Sequence, residues 1–320
     1  MTRRLALERE RSAAFSVSST PLTLPAYAKI NLLLRVLGRR ADNFHEIFTV
    51  FQTVTLHDRL TFECLEGESL ELECSAHGVP SDETNLVHRA ATALREHFGV
   101  RRGARIRLEK RIPSEGGLGG GSSDAAVALM ALSSLWEIRT DRTELAAIGA
   151  RLGADVPFFL TGGTALGTGL GTEIHALDDI TPKHLVIVAP GVKVSTAEAY
   201  VSLDAPALTK AETTVNLPIS RTSAQISDSL CEVIHNDFEP LIFRLRPEIK
   251  RAYDALIETG ARCALLAGSG SSVFGIFDKR EAAASAKVAL VGETRWQVFA
   301  CETLTRDGYR QSLEACAPFL

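Results

Sequence analysis

At 320 residues the chain is long enough to bury the cores of two domains, and its 45% hydrophobic and 23% charged content is that of a soluble globular protein. A net charge of −4 offers no global field to nucleic acid or an anionic membrane, so any anion site has to be local. The longest apolar runs, such as Leu185 to Ala189, fall far short of a membrane span.

The first twenty residues carry Arg3, Arg4, Arg9 and Arg11 among serines without the apolar stretch of a secretory signal, and are expected to form a disordered tail. From Pro25, PAYAKINLLLRVLG alternates like a strand, with Lys29, Asn31 and Leu33 on one face and Ile30, Leu32, Leu34 and Val36 on the other. A lysine and an asparagine side by side on an apolar strand either sit on a solvated edge or meet partners in a site, because unpartnered burial is costly. Asp42 and Asn43 then supply a turn, in which Asn43 tolerates left-handed backbone. Phe44 and His45 follow, an aromatic face beside an imidazole that suits a heterocycle as well as ordinary packing. Ile47 to Phe62 alternates as strands, Asn85 to Phe98 has helical spacing with Ser81 to Thr84 as its capping region, and Arg105 to Ile112 is a strand.

That strand delivers the most informative stretch of the chain. Five of the six residues from Gly116 to Gly121 are glycine, and Ser122, Ser123 and Asp124 follow as candidate caps of an alanine-rich helix reaching about Trp136. Without Cβ atoms such a loop can approach a ligand closely and point successive N–H groups at an anion near the positive end of a helix, which suits a polyphosphate. The spacing excludes a Walker A loop, which needs a lysine after the last glycine, and the dinucleotide fingerprint G-x-G-x-x-G.

Arg142 to Leu152 reads as a helix, and Asp155, before Pro157 at an element boundary, suits either a cap or a catalytic carboxylate. Gly167, Gly169 and Gly171 mark a hairpin. A second region starts near Lys183 with a buried strand, passes through a polar, irregular stretch from Leu203 to Asp228, and enters helices at Pro240 and over Arg246 to Thr259. Leu265 to Phe277 forms a strand, a glycine-serine turn and a strand; a helix over Lys279 to Val291 and a strand over Trp296 to Cys301 complete it. Six scattered cysteines without a C-x-x-C pair are expected to be free thiols of a reducing cytoplasm, not a disulfide frame or a metal site.

PAYAKINLLL, PSEGGLGGGSSDAA, LGADVPFF and LAGSGSSVF, in that order, resemble the GHMP kinases, and the resemblance spans nearly everything from Pro25 to about Thr303. AKINL, the R-x-D-x-F-H segment, GADVPFF and HNDFE resemble the branch that phosphorylates the 2-hydroxyl of a cytidine diphosphate derivative of methylerythritol, in the non-mevalonate isoprenoid pathway. The resemblance implies an α+β fold of two domains, a ribosomal protein S5 domain 2-like unit over 21–174 and a ferredoxin-like unit over 175–320, with the active site in the cleft between them. It implies that Pro113, Ser114, Glu115, Gly116, Gly117, Leu118, Gly119, Gly120, Gly121, Ser122 and Ser123 carry ATP. Lys29 and Asp155 match the catalytic pair, with Asn31 beside them. Phe44 and His45 match the pair that holds cytosine, Tyr200 the aromatic on its other face, and Thr196, Gly268, Ser269, Gly270 and Ser271 the remainder of the substrate site. Mg²⁺ is expected with ATP, Ser122 or Ser123 being candidate ligands. A cytoplasmic enzyme, monomeric or weakly dimeric, is expected, acting on a small molecule and binding neither nucleic acid nor membrane. Within this fold the rivals are a homoserine or mevalonate-type kinase and a non-catalytic nucleotide sensor. Asn43 where glycine is usual, Phe44 where tyrosine is usual, and Glu115 where small residues are common depart from the pattern; a carboxylate near a triphosphate repels it, so Glu115 is expected to point outward or toward a cation.

Overall fold

A computed structural model describes residues 20–76, 78–203, 205, 206, 208 and 230–319; residues 1–19 of the expected tail and most of the irregular stretch after Leu203 lie outside them. The strands are β1 (Leu22–Arg39), β2 (His45–Leu65), β3 (Leu70–Cys74), β4 (Gly103–Glu109), β5 (Thr164–Thr168), β6 (Glu173–Ala176), β7 (His184–Ala189), β8 (His235–Asn236), β9 (Cys263–Leu266), β10 (Val273–Phe277) and β11 (Gln297–Glu302). The helices are α1 (Leu86–Phe98), α2 (Gly120–Leu135), α3 (Arg142–Leu152), α4 (Thr196–Ser202), α5 (Glu239–Leu245), α6 (Pro247–Glu258), α7 (Arg280–Leu290) and α8 (Arg306–Ser312), with single helical turns at Val156–Phe159 and Leu230–Val233.

Two sheets result. The first runs β3-β4-β2-β1-β8, with the hairpin β5–β6 joined to β2; β3/β4 and β1/β8 are parallel and the other pairs antiparallel. The second, β11-β7-β10-β9, is antiparallel throughout and has α6 and α7 packed on it, the strand order of a ferredoxin-like unit. Three apolar cores follow from this layering. One lies between the first sheet and α1–α3, one between the two sheets, and one between the second sheet and its helices. Helix α2 is apolar almost all round, and accordingly every residue from Ser123 to Ser133 is buried.

The alternation expected along β1 does not survive intact. Between Tyr27 and Lys29 the strand advances two residues while β2 advances four (His57 to Thr53), and a second register shift separates Asn31 from Leu33. Leu24 and Ala26 therefore belong to the helix-side core, whereas Ala28, Ile30 and Leu32 enter the core between the sheets. A slip of register re-aims side chains, and here it turns Lys29 and Asn31 inward, 4% and 2% exposed. The edge-strand alternative is thereby removed. Lys29, in register with Thr53 of β2, donates its backbone N–H to the carbonyl of Leu118 in the glycine loop (2.9 Å).

Three local expectations need correction. Helix α2 starts at Gly120 with Gly119 as its cap residue (φ 71°), so Ser122, Ser123 and Asp124 lie inside it and no side chain caps it. Helix α1 is capped by Asn85 itself, whose side chain accepts from the N–H of Val87, and not by Ser81–Thr84. Cys231 and Cys263 form a disulfide (Cα–Cα 5.6 Å) linking the turn before β8 to the start of β9; Cys64, Cys74, Cys301 and Cys316 are free thiols as expected. Thirty-two residues separate the bonded pair, so the docking of β8 and not any spacing signal brings them together. Asn43 does adopt the left-handed backbone expected of it (φ 67°).

The glycine loop packs backbone to backbone on the Gly268–Ser272 turn. A Cβ on Gly117 would lie 2.0 Å from the Ala267 carbonyl oxygen, and Ser272 donates its N–H to the Gly116 carbonyl (3.1 Å). Gly117→Ala, with φ at 75° as well, is expected to cost about 2 kcal/mol or more and lower the Tm by several degrees in calorimetry. Gly67→Ala is the control: it has a similar φ (80°) but nothing within 4 Å, and is expected to be milder.

Candidate active site

A cavity of about 470 Å³ opens between the two sheets' loops. Its floor is the glycine loop: every residue from Pro113 to Ser122 lines it. Ser123 does not, since its hydroxyl is buried behind the loop without a partner, as expected for a side chain already inside a helix packed on all sides. Because a glycine precedes α2 and no side chain caps it, the first N–H groups of the helix are left for a ligand. Glycine is required at 119 for another reason too, because a Cβ there would meet the ring of Phe159 and the Lys29 stem at 2.9 and 3.0 Å.

Lys29 stands over this floor. Its ammonium donates to Oδ1 of Asn31 (2.8 Å) and lies 3.5 Å from Oδ2 of Asp155. Asn31 in turn donates to the Thr49 hydroxyl (2.7 Å), which donates to the Leu33 carbonyl (2.7 Å), so every polar group of this buried chain is satisfied. Asp155 precedes the turn Val156–Phe159 but makes no capping bond, which leaves its carboxylate, about a third exposed, to face Lys29 and the cavity. Lys29, Asn31 and Asp155 are thus brought together as expected.

The other wall comes from the second sheet's loops. Thr196, Tyr200, Gly268 and Ser269 line the cavity, and the hydroxyls of Thr196 and Ser269 are hydrogen-bonded (3.0 Å). Gly270 and Ser271 are buried behind this wall. Asn236 pins the turn by donating to the carbonyls of Leu266 (2.8 Å) and Gly268 (2.7 Å) while accepting from the N–H of Phe238 (2.9 Å). Beyond Tyr200 the rings of His45 and Tyr200 stack at 5.0 Å, and Tyr200 meets Phe238 edge-on at 4.8 Å. At that spacing no base fits between His45 and Tyr200, so the expectation that Tyr200 forms the opposite face of a base slot is corrected: here it backs His45. Phe44 is 61% exposed and presents a free ring face. Burial, with Arg39 nearby, lowers the pKa of His45, and burial, with the Asp155 carboxylate, raises that of Tyr200. Both groups are accordingly neutral hydrogen-bonding partners near pH 7.

Three features escaped the sequence reading. Under the floor, and reaching the cavity through Lys110 and Asp124, the Lys110 ammonium bridges Asp124 Oδ2 (2.8 Å) and Asp58 Oδ2; Asp58 Oδ1 also accepts the N–H of Ile112 (2.8 Å), so the cluster anchors the strand-to-loop junction. Val79, Pro80, Asn85 and Leu86 wall the end of the cavity past Gly121. Glu115, with φ at 56°, turns its carboxylate out of the loop onto the ammonium of Lys193 (2.8 Å), the cation expected but not identified beforehand.

Comparison with known proteins fits this geometry. Residues 85–163 match the family described as GHMP kinases N terminal domain and residues 223–294 the one described as GHMP kinases C terminal. The 4-diphosphocytidyl-2-C-methyl-D-erythritol kinase of Syntrophotalea carbinolica is 41% identical over 87% of this chain and 97% of its own. This chain belongs to that kinase family. A crystal structure of 4-(cytidine 5'-diphospho)-2C-methyl-D-erythritol kinase superposes with a TM-score of 0.73 at 36% identity, covering 88% of this chain and 99% of that one. Homoserine kinase from Cytophaga hutchinsonii, at 18% identity and a TM-score of 0.67 over 91% of this chain and 97% of its own, shares the fold. The N-terminal match contains the glycine loop and Asp155 but begins after Lys29, which the fold returns to them. Among the described residues no helix is long and apolar enough to cross a membrane.

The charge cluster under the floor has measurable consequences. Removing the ammonium by Lys110→Met leaves two buried carboxyl groups facing each other and is expected to cost about 3–5 kcal/mol in urea unfolding. Burial pushes the Asp124 carboxyl up to about 7, Lys110 opposing and Asp58 reinforcing the shift. The native state then keeps a proton that the unfolded chain has released, so this contribution to stability is fully present below about pH 4 and declines as pH rises toward 7. Asp124→Asn is expected to flatten that decline when Tm is followed from about pH 4 to pH 7.

Proposed function

We propose that this chain transfers the terminal phosphoryl group of ATP to the 2-hydroxyl of 4-diphosphocytidyl-2-C-methyl-D-erythritol, giving the 2-phosphate and ADP, in the non-mevalonate route to isoprenoid precursors. The observation that carries the reading is the meeting of the Lys29–Asp155 pair with the uncapped start of α2 in one cavity. Phosphoryl transfer passes through a loose transition state, so positioning and charge stabilisation dominate and little covalent chemistry is asked of the protein.

In this reading the triphosphate lies on the N–H groups of Gly119 to Ser122, and the adenosine end extends toward Asn85 and Leu86. The acceptor enters from the opposite side. Its cytosine stacks on the free face of Phe44, while neutral His45, backed by Tyr200, offers a donor and an acceptor to the edge of the base. Asp155 accepts the proton of the attacking hydroxyl. Lys29, held by Asn31, orients Asp155 and stabilises negative charge on the moving phosphoryl. A Mg²⁺ ion would be carried chiefly by phosphates and water, with the Ser122 hydroxyl and Asp155, both on the cavity wall, as the groups that would meet it. Bound there, it would neutralise phosphate charge.

The aromatic groups favour a nucleotide-bearing acceptor over homoserine or mevalonate, neither of which has a ring to stack. Consumption of ATP measured in parallel with the cytidylyl compound, homoserine and mevalonate is expected to be confined to the first; turnover of another at equal rate would overturn the assignment. Asp155→Asn is expected to lower kcat about 10²- to 10⁴-fold with the KM for ATP little changed, and wild-type kcat in this variant would remove Asp155 from the role of base. His45→Ala is expected to raise the KM for the acceptor about tenfold and leave that for ATP unaltered.

A further inference from the structure

The wall of the cavity is short of positive charge for the ligands it has to hold. Among the described residues its charged side chains are Lys29, Lys110, Glu115, Asp124 and Asp155, two cations against three carboxyl groups. Lys110 is also bound from behind by Asp58, and Lys29 is committed to Asn31 and Asp155. Two oligophosphate chains, one on ATP and one on the acceptor, have to enter this space in the reading given above, on which the present inference rests.

Lys193 stands beside it with a charge to spare. Its loop is fixed to the cleft: a Cβ on Gly270 would touch the methyl of Val194 at 3.7 Å, and two residues further on Thr196 bonds Ser269. The Lys193 side chain itself is 85% exposed, and it is ion-paired with Glu115, 56% exposed, on the rim of the phosphate floor. A pair this open to water contributes little and exchanges readily. An oligophosphate carries several negative charges and outcompetes a single carboxylate for the ammonium. We propose that Lys193 is a phosphate-binding residue, waiting on Glu115 in the free protein and transferring its ammonium to an oligophosphate once the cleft is loaded. The exchange also explains how a carboxylate is tolerated in the loop. Glu115 holds the cation at the mouth and is left facing solvent when the cation moves.

The test uses the full chain and reads binding without turnover. Calorimetric Kd values for adenylyl imidodiphosphate with Mg²⁺, and separately for CDP, are compared among wild type, Lys193→Met, Lys193→Arg, Glu115→Gln and the Glu115→Gln/Lys193→Met double variant. Lys193→Met is expected to weaken one of the two ligands about tenfold and to flatten the salt dependence of that Kd, with Lys193→Arg largely restoring it. The ligand affected identifies the chain that Lys193 holds. The double variant is expected to bind as weakly as Lys193→Met. Wild-type affinity of Lys193→Met for both ligands would overturn the proposal, and so would recovery in the double variant, because Lys193 would then merely mask Glu115. An error in the acceptor assignment shows instead as failure of the wild type to turn over the cytidylyl compound.

Discussion

The site rests on a contact between two main chains. The loop before α2 lies directly on the Gly268–Ser272 turn, close enough that a single methyl at position 117 would overlap a carbonyl oxygen. The backbone of Lys29 holds the same loop from the other side. The glycines at 116 and 117 are therefore required by packing, and those nearer the helix leave its first N–H groups open to the cavity. Fixing the loop from both sides supplies preorganised dipoles without reorganisation at the moment of reaction, which is where such groups gain most of their value.

The polar groups around that contact are arranged in two tiers. Lys110, Asp58 and Asp124 are buried below the floor, where two carboxyl groups share one ammonium and tie the end of β4 to α2. Lys29 and Asp155 stand above it, one almost wholly buried and one partly open, so that the lysine is held among its partners while the carboxylate faces the cavity. The lower tier holds geometry and reaches the cavity only through Lys110 and Asp124, while the upper tier stands over it. Asn236 does for the glycine-serine turn what Asn31 does for Lys29: each is a buried amide that satisfies its neighbours and thereby fixes them.

Much of this was legible in the chain itself. Consecutive glycines running into alanine-rich sequence have few uses, and the loop and its helix could be read from that alone. The order of strands and helices was readable too, since apolar periodicity marks them. The pairing of Lys29 with Asp155 came only through resemblance, because no local pattern links residues so far apart. What was misread has physical causes. Strict alternation cannot foresee a register shift, so the inward turn of Lys29 and Asn31 was hidden in a strand that looked regular. Ser122, Ser123 and Asp124 have cap chemistry, yet Gly119 took that place because a left-handed residue was needed to bring the loop into the helix. Lys110, Asp58 and Asp124 are ordinary charged residues in sequence and become a unit only in three dimensions, as do Cys231 and Cys263.

The stacking of the two glycine loops also bears on how the protein is made. Gly117 and the Ala267 carbonyl that it touches are 150 positions apart, in opposite halves of the chain. A ribosome that has released the whole glycine-rich stretch has made the sequence of the cavity floor but not the cavity, which is complete only when β9 and the turn after it have been synthesised and docked. Until then the loop has no opposing surface, and the growing chain carries its signature without the shape that gives it meaning.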